Sequence, residues 1–293
     1  MKNILITGGA GFVGSSLIEL LVTKKNISKI ISIDNYYSGS TKNHVKSKKV
    51  HYIKSDTRRI NDIKYLKKIN IDLVYHFGEF SRIFPSFAFK DLCWKTNTIG
   101  TFEVIKFCQI KNSKLVYSAS SAATDDKKNL SPYSWSKYTN NQLIKNYCKW
   151  FDLKYVIVYF YNVYGPRQIT SGSMTAVMGI FENQYIKNEP LTVVKPGTQK
   201  RDLTHIDDII KGTYLASKKK NQEFHIRSGV NFSIIDVARM FKTKIKFINE
   251  RPGERFESSK DSNKNTQSIL KFKPKKSLKK YINNFLLKYE KKR

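Results

Sequence analysis

Tyr133 and Lys137 stand four positions apart in SPYSWSK. With Pro132 opening a helix, they emerge on one face. A phenol and an ammonium so placed can move a proton, because the positive charge favours the phenolate. Ser120, at the end of the apolar run KLVYSAS, meets them from a neighbouring loop. A YxxxK pair alone is commonplace, so this chemistry needs a hydride acceptor beside it. The opening MKNILITGGAGFVGSSLIELL answers that need. Gly9, Gly11 and Gly14 form GxGxxG, and Gly8 adds a permissive turn position. The stretch reads as strand, tight turn and helix start, with small residues where backbone N–H groups approach a pyrophosphate. Asp34 closes KIISID twenty positions beyond Gly14. There a carboxylate receives both adenosine ribose hydroxyls and repels a 2′-phosphate, favouring NAD over NADP. No GxxxxGK[ST] loop occurs, which argues against an ATPase. Asp56, after the third apolar run, suits either the adenine edge or a helix cap. His76 and Glu79 in YHFGEF reach the cofactor cleft, or His76 is a packed, hydrogen-bonded histidine.

Holding these groups together calls for a parallel sheet. Candidate strands are NILITG, KIISID, VHYIKSD, DLVYHFG, KLVYSAS and YVIVYFYN. Their nearly continuous apolarity suits a sheet covered on both faces, and the segments between them are long enough for crossover helices. The two longest helices are expected over Thr98–Ile110 and Tyr133–Phe151. Beyond NVYGPRQ the alternation weakens: SMTAVMGIFENQYIKN, HIDDIIKGTYLASKK and SIIDVARMFKT read as helices, LTVV and EFHIRSG as strands. The expected fold is α/β, a Rossmann-like doubly wound parallel sheet with a smaller mixed α/β substrate-binding domain. Residues 1–165 would form the nucleotide-binding core and 166–293 mainly the substrate-binding region, with some segments returning to the core.

The 293 residues are 40% hydrophobic, which argues against general disorder, and carry a formal charge of +31. The positive residues are spread through helices and loops instead of forming a nucleic-acid reading motif, so no specific nucleic-acid partner is expected. The densest patch, LKFKPKKSLKKYINNFLLKYEKKR, also offers a packing face in Ile282, Phe285, Leu286 and Tyr289. No apolar run approaches the roughly 18 residues of a membrane span. Cys93, Cys108 and Cys148 lack metal-ligand spacing, so no metal is expected, and a reducing cytoplasmic setting is the simple reading.

In order along nearly the whole chain come TGGAGFVG, SID, KTNTIGTFEVI, YSASS, SPYSWSK, YNVYGPRQ, RDLTHIDD and RPGE. The chain thereby resembles the extended short-chain dehydrogenase/reductase family, especially nucleotide-sugar 4-epimerases related to UDP-glucose 4-epimerase. The resemblance implies that Ser120 hydrogen-bonds the reacting sugar, Tyr133 is the acid/base and Lys137 binds the nicotinamide ribose. NAD would lie against Gly8, Gly11, Phe12, Val13 and Gly14, then Asp34, Asn35, Asp56 and Thr57, then Phe77, Gly78 and Tyr161. Asn97 would position the cofactor side. Asn162 would place the sugar diphosphate, Arg201 and Arg251 would bind it, and Glu254 would take the uridine ribose. Ser258 falls where some relatives carry a bulky tyrosine, leaving room for a 2-acetamido group. A homodimer through the two long helices is implied as well.

The expected reaction is reversible inversion at C4 of a UDP-hexose through a 4-keto intermediate. A nucleotide-sugar 4,6-dehydratase is the nearest alternative. It would want an aspartate and a glutamate beside the active serine, whereas Ser120 is followed by SAA, with Asp125 and Asp126 farther on. Decarboxylation would require an acidic C6 that the sequence does not identify. A catalytically silent NAD- or nucleic-acid-binding protein is the reading from another class. Two departures from the family pattern bear on the substrate pocket. The connection from Ser120 to Tyr133 is shortened, and FGEFSR replaces the commoner alanine-rich ending, so Glu79 and Arg82 are expected to reshape the pocket.

Overall fold

The computed structural model describes residues 1–124, 127–254, 256 and 264–290. The six expected strands form as β1 (Lys2–Thr7), β2 (Ile27–Asp34), β3 (Val50–Lys54), β4 (Leu73–His76), β5 (Lys114–Ser120) and β6 (Tyr155–Phe160). Six more strands follow in the chain. They are β7 (Asn162–Tyr164), β8 (Leu191–Val194), β9 (Lys200–His205), β10 (Gln222–Ile226), β11 (Asn231–Ser233) and β12 (Ile245–Ile248). Seven strands make one sheet in the order β10-β6-β5-β4-β1-β2-β3, every neighbouring pair parallel.

Alternate residues of each strand face opposite layers, which explains the unbroken apolar runs. Ile4, Ile6, Val116, Val156 and Val158 pack one way, against Leu17, Ile18, Ile209 and Ile210. Leu5, Leu115, Tyr117, Ile157 and Tyr159 pack the other way, against Val104, Ile105, Ile144 and Cys148. Each fully buried aliphatic side chain contributes about 1.5–3 kcal/mol, so the two layers jointly fix the register of the sheet. The strand order reverses between β4 and β1. This is the crevice at the carboxyl edge where α/β sheets take ligands.

A third core joins Tyr164, Phe181, Leu191, Val193, Leu203, Phe241, Ile282 and Leu286. The basic tail contains a helix, Leu278–Glu290, with the expected packing face: Ile282 and Leu286 are buried, and Phe285 and Tyr289 pack against the same core. The small sheets are β11-β9-β7 and β12-β8. β9 (KRDLTH) escapes an apolar-pattern reading because polar bonds hold it. Asp202 accepts from Arg227 Nε at 2.9 Å, Ser228 Oγ at 2.8 Å and Gly229 N at 2.8 Å.

Both long helices form, with shifted ends. One runs Pro132–Trp150, its first turn closed by Ser131, whose Oγ accepts from Ser134 N at 3.0 Å, and by Pro132 at the first position. The other is α-helical over Gly100–Lys111 and follows a widened π turn at Lys95–Ile99. That turn carries Asn97 into the interior, and such turns recur at functional sites. Among the described residues no helix is long and apolar enough to cross a membrane.

Candidate active site

The carboxyl ends of β1, β2, β4 and β5 converge on one cleft of about 790 Å³, within the range of small-molecule sites. The turn after β1 is shaped by close approach. Gly8 has φ +70, and a Cβ there would stand 2.8 Å from Gly78 N. A Cβ on Gly14 would stand 2.2 Å from Gly8 O. The helix Phe12–Val22 begins beyond this turn with no side-chain cap. Its first N–H groups are therefore left for an anion, in the helix-dipole field.

Asp34, nearly buried, accepts Ala10 N at 2.9 Å and Tyr36 N at 2.8 Å. Burial raises its pKa, opposed by those backbone bonds. A cradle closed to any Cβ, an uncapped helix start and a fixed carboxylate at the second strand's end fit an NAD adenosine diphosphate. Phe12, Val13, Asn35, Thr57, Phe77, Gly78 and Tyr161 line the same cleft. Asp56 does not. It caps the turn at Thr57–Asp62, holds Arg58 at 2.8 Å and accepts Asn35 Nδ2 at 3.1 Å. Burial pushes its carboxyl up, but the Arg58 bonds prevail and lower it.

The reaction end sits where β5 meets the Pro132–Trp150 helix. Ser120, Tyr133 and Lys137 all line the cleft. Ser120 Oγ accepts Ala122 N at 3.1 Å, and Tyr133 N donates to Ser86 Oγ at 3.2 Å. One turn on, Lys137 Nζ donates to Ser118 O at 2.5 Å and pairs with Glu79. An ammonium has three donors, so one remains for a ligand in the cleft. Glu79 is the center of a network that the sequence did not reveal. It also accepts Tyr117 Oη at 2.9 Å, Thr101 Oγ1 at 3.2 Å and Asn140 Nδ2 at 3.2 Å. The one available signal was positional: Tyr133, Lys137 and Asn140 share a helix face at spacings of four and three.

His76 has the packed role. Its Nδ1 meets Thr7 Oγ1 at 2.7 Å and its Nε2 meets Thr101 Oγ1 at 2.9 Å, and burial lowers its pKa to about 4. Asn97 acts through the backbone. Its Oδ1 accepts Phe80 N at 2.7 Å and its Nδ2 donates to Phe80 O at 3.0 Å, fixing the segment that carries Glu79.

On the substrate side Asn162, Arg201, Arg251 and Glu254 line the same cleft. Arg201 Nη2 pairs with Glu254 at 2.6 Å, and burial lowers the arginine's pKa against that partner's pull. Asn162 Nδ2 donates to Asp202 O at 3.1 Å, and the Arg251 guanidinium lies 5.5 Å from the Phe84 ring centre. Ser258, Asp125 and Asp126 lie outside the described residues.

A parallel sheet with a glycine cradle, a carboxylate at the end of its second strand and a Ser-Tyr-Lys set at its carboxyl edge defines an NAD-dependent enzyme of the extended short-chain dehydrogenase/reductase type. The chain belongs to the NAD dependent epimerase/dehydratase family, whose profile matches residues 4–228. A Methanocaldococcus jannaschii protein provisionally named as a UDP-glucose 4-epimerase is 29% identical over 263 residues, 84% of each chain. UDP-glucuronic acid decarboxylase 6 of Arabidopsis thaliana is 27% identical over 94% of this chain and 85% of its own. The Bacillus cereus UDP-glucuronic acid 4-epimerase, solved with UDP-glucuronic acid and NAD, superposes with a TM-score of 0.89. It is 25% identical over 99% of this chain and 100% of its own.

Proposed function

We propose that this protein is a nucleotide-sugar 4-epimerase that reversibly inverts C4 of a UDP-hexose. The observation carrying the reading is one continuous cleft. It is lined by Gly8, Gly11, Gly14 and Asp34, by Ser120, Tyr133 and Lys137, and by Arg201 and Arg251 together. Bound NAD supplies the acceptor, and later the donor, of the C4 hydride. Tyr133 takes the C4 hydroxyl proton as C4 is oxidised, and returns it to the oxygen once the 4-keto sugar has presented its other face. Ser120 hydrogen-bonds that oxygen. Lys137, oriented by Glu79 and Ser118, offers its remaining N–H to the nicotinamide ribose. Arg201 and Arg251 suit separated diphosphate oxygens, since guanidinium groups present fixed planar donors. The names of relatives favour uridine as the nucleotide. A homodimer belongs to the same proposal, because the two long helices carry exposed Ile110 and Trp150.

The test is an end-point assay of the NAD-loaded protein with UDP-glucose, UDP-galactose and their N-acetylated counterparts, separating C4 epimers, 4-keto sugars and decarboxylated products. The acetamido pair addresses the expectation placed on Ser258. Epimers are expected, and a Tyr133→Phe variant with unchanged binding should lose about 10²-fold or more in rate. A folded Tyr133→Phe variant that epimerises at near wild-type rate would remove the acid/base assignment.

A further inference from the structure

Arg82 is a cation in the cleft that nothing so far has used. It follows β4, lines the cleft with Tyr133 and borders Phe80 and Ile83, which pack with Tyr133 and Met174. Its Nε donates to Met174 O at 2.8 Å and its Nη1 to Ser81 O at 2.8 Å, which fixes the guanidinium plane. Among the described residues Nη2 has no hydrogen-bond partner and no carboxylate pairs with Arg82. Three other cations of the interior are matched: Lys137 with Glu79, Arg201 with Glu254, Arg227 with Asp202. Arg82 is half-buried, and a partly desolvated guanidinium with no carboxylate among the described residues favours an anion that neutralises it. Burial lowers the Arg82 pKa while Tyr133 opposes that shift, so the two groups lie within electrostatic reach.

The diphosphate is assigned to Arg201 and Arg251, and Tyr133 marks the position of C4. Resting on the proposed 4-epimerase reading, we infer that Arg82 binds a carboxylate carried by a carbon next to C4, making the preferred substrate an acidic UDP-sugar. Two sources present that chemistry. A uronic acid carries the carboxylate on C5, and an ether-linked lactyl group carries it on C3. Either meets the free Nη2 beside the oxygen that Tyr133 deprotonates, while Nε and Nη1 stay bonded to the protein.

The experiment measures equilibrium binding to the NAD-loaded Tyr133→Phe protein, which requires no turnover. The ligands are UDP-glucuronic acid, UDP-N-acetylmuramic acid, UDP-glucose and UDP. A charged hydrogen bond predicts one of the acidic sugars binding about 10- to 100-fold tighter than UDP-glucose, and which one does identifies the carboxylate's source. Adding Arg82→Met, which keeps the aliphatic stem, should erase that preference, and Arg82→Lys should restore part of it. A melting curve confirms that each variant folds. Equal affinity for UDP-glucose and both acidic sugars would overturn the inference, as would Arg82→Met weakening UDP as strongly as the acidic sugar. Failure of every UDP ligand to bind would overturn it together with the proposed substrate. Selective acid binding without epimer formation in the parental protein would overturn the epimerase reading alone.

Discussion

Replacing Glu79 with leucine strands a buried charge. The Glu79 and Lys137 side chains are 2% and 4% exposed, so water cannot take over when the carboxylate goes. Lys137 would keep Ser118 O at 2.5 Å and the Tyr117 ring face 4.7 Å from Nζ. Tyr117 Oη and Asn140 Nδ2 would keep each other at 3.0 Å. Removing one member of a buried pair costs about 3–5 kcal/mol. Taking about 2–4 °C per kcal/mol, the value for chains of 150–250 residues, the thermal midpoint should fall by about 6–20 °C. Glu79→Gln, which preserves an acceptor for Tyr117 and Asn140, should lose less. The decisive assay is a double-mutant cycle with Lys137→Met, read by denaturant midpoints at pH 7. With no charge left to strand, the double variant should be at least about 2 kcal/mol more stable than the two single losses predict. A Glu79→Leu loss below about 1 kcal/mol, or strict additivity in the cycle, would refute the argument that this pair anchors Lys137.

Two other measurements probe the fold around the site. His76 is held neutral with a pKa of about 4, against an ordinary value of 6.5. Its contribution is therefore complete above about pH 6.5 and is lost as pH falls toward 4, because the unfolded chain takes the proton first; the difference corresponds to about 3 kcal/mol. His76→Gln should flatten the stability curve between those pH values, and a variant curve parallel to the parent would contradict this. The proposed dimer has a visible surface: Phe102 meets Tyr147 at 6.1 Å and Tyr147 meets Phe151 at 4.4 Å, joining both long helices in one aromatic strip. Sedimentation should give a dimer at micromolar concentration and a monomer for Phe102→Glu combined with Trp150→Glu; a monomeric parent would end that proposal.

What was legible in the sequence was local. The strands of the large sheet declared themselves because burial on both faces demands unbroken apolar runs. The turn after β1 declared itself because only glycine fits where Gly14 would otherwise meet Gly8 O at 2.2 Å. The Tyr133 and Lys137 pair followed from the pitch of a helix, and the family was recognisable because short motifs stood in a fixed order. Asp56 could be read two ways because a carboxylate before a short helical turn serves a cap and a ligand equally well; in the structure it caps the turn and pairs with Arg58. Strand β9 was hidden by its polar pattern, with Asp202 accepting from Arg227, Ser228 and Gly229.

The groups around Lys137 depended on distance in space. Glu79, Thr101, Tyr117 and Asn140 come from four elements, and only folding brings them within 3.2 Å of one another's polar atoms. Whether a carboxylate pairs with a lysine 58 positions away, or Arg82 meets backbone carbonyls and no carboxylate among the described residues, depends on packing between layers. Periodicity carries no information about that, because it records which face of an element is buried and not which polar group it meets there.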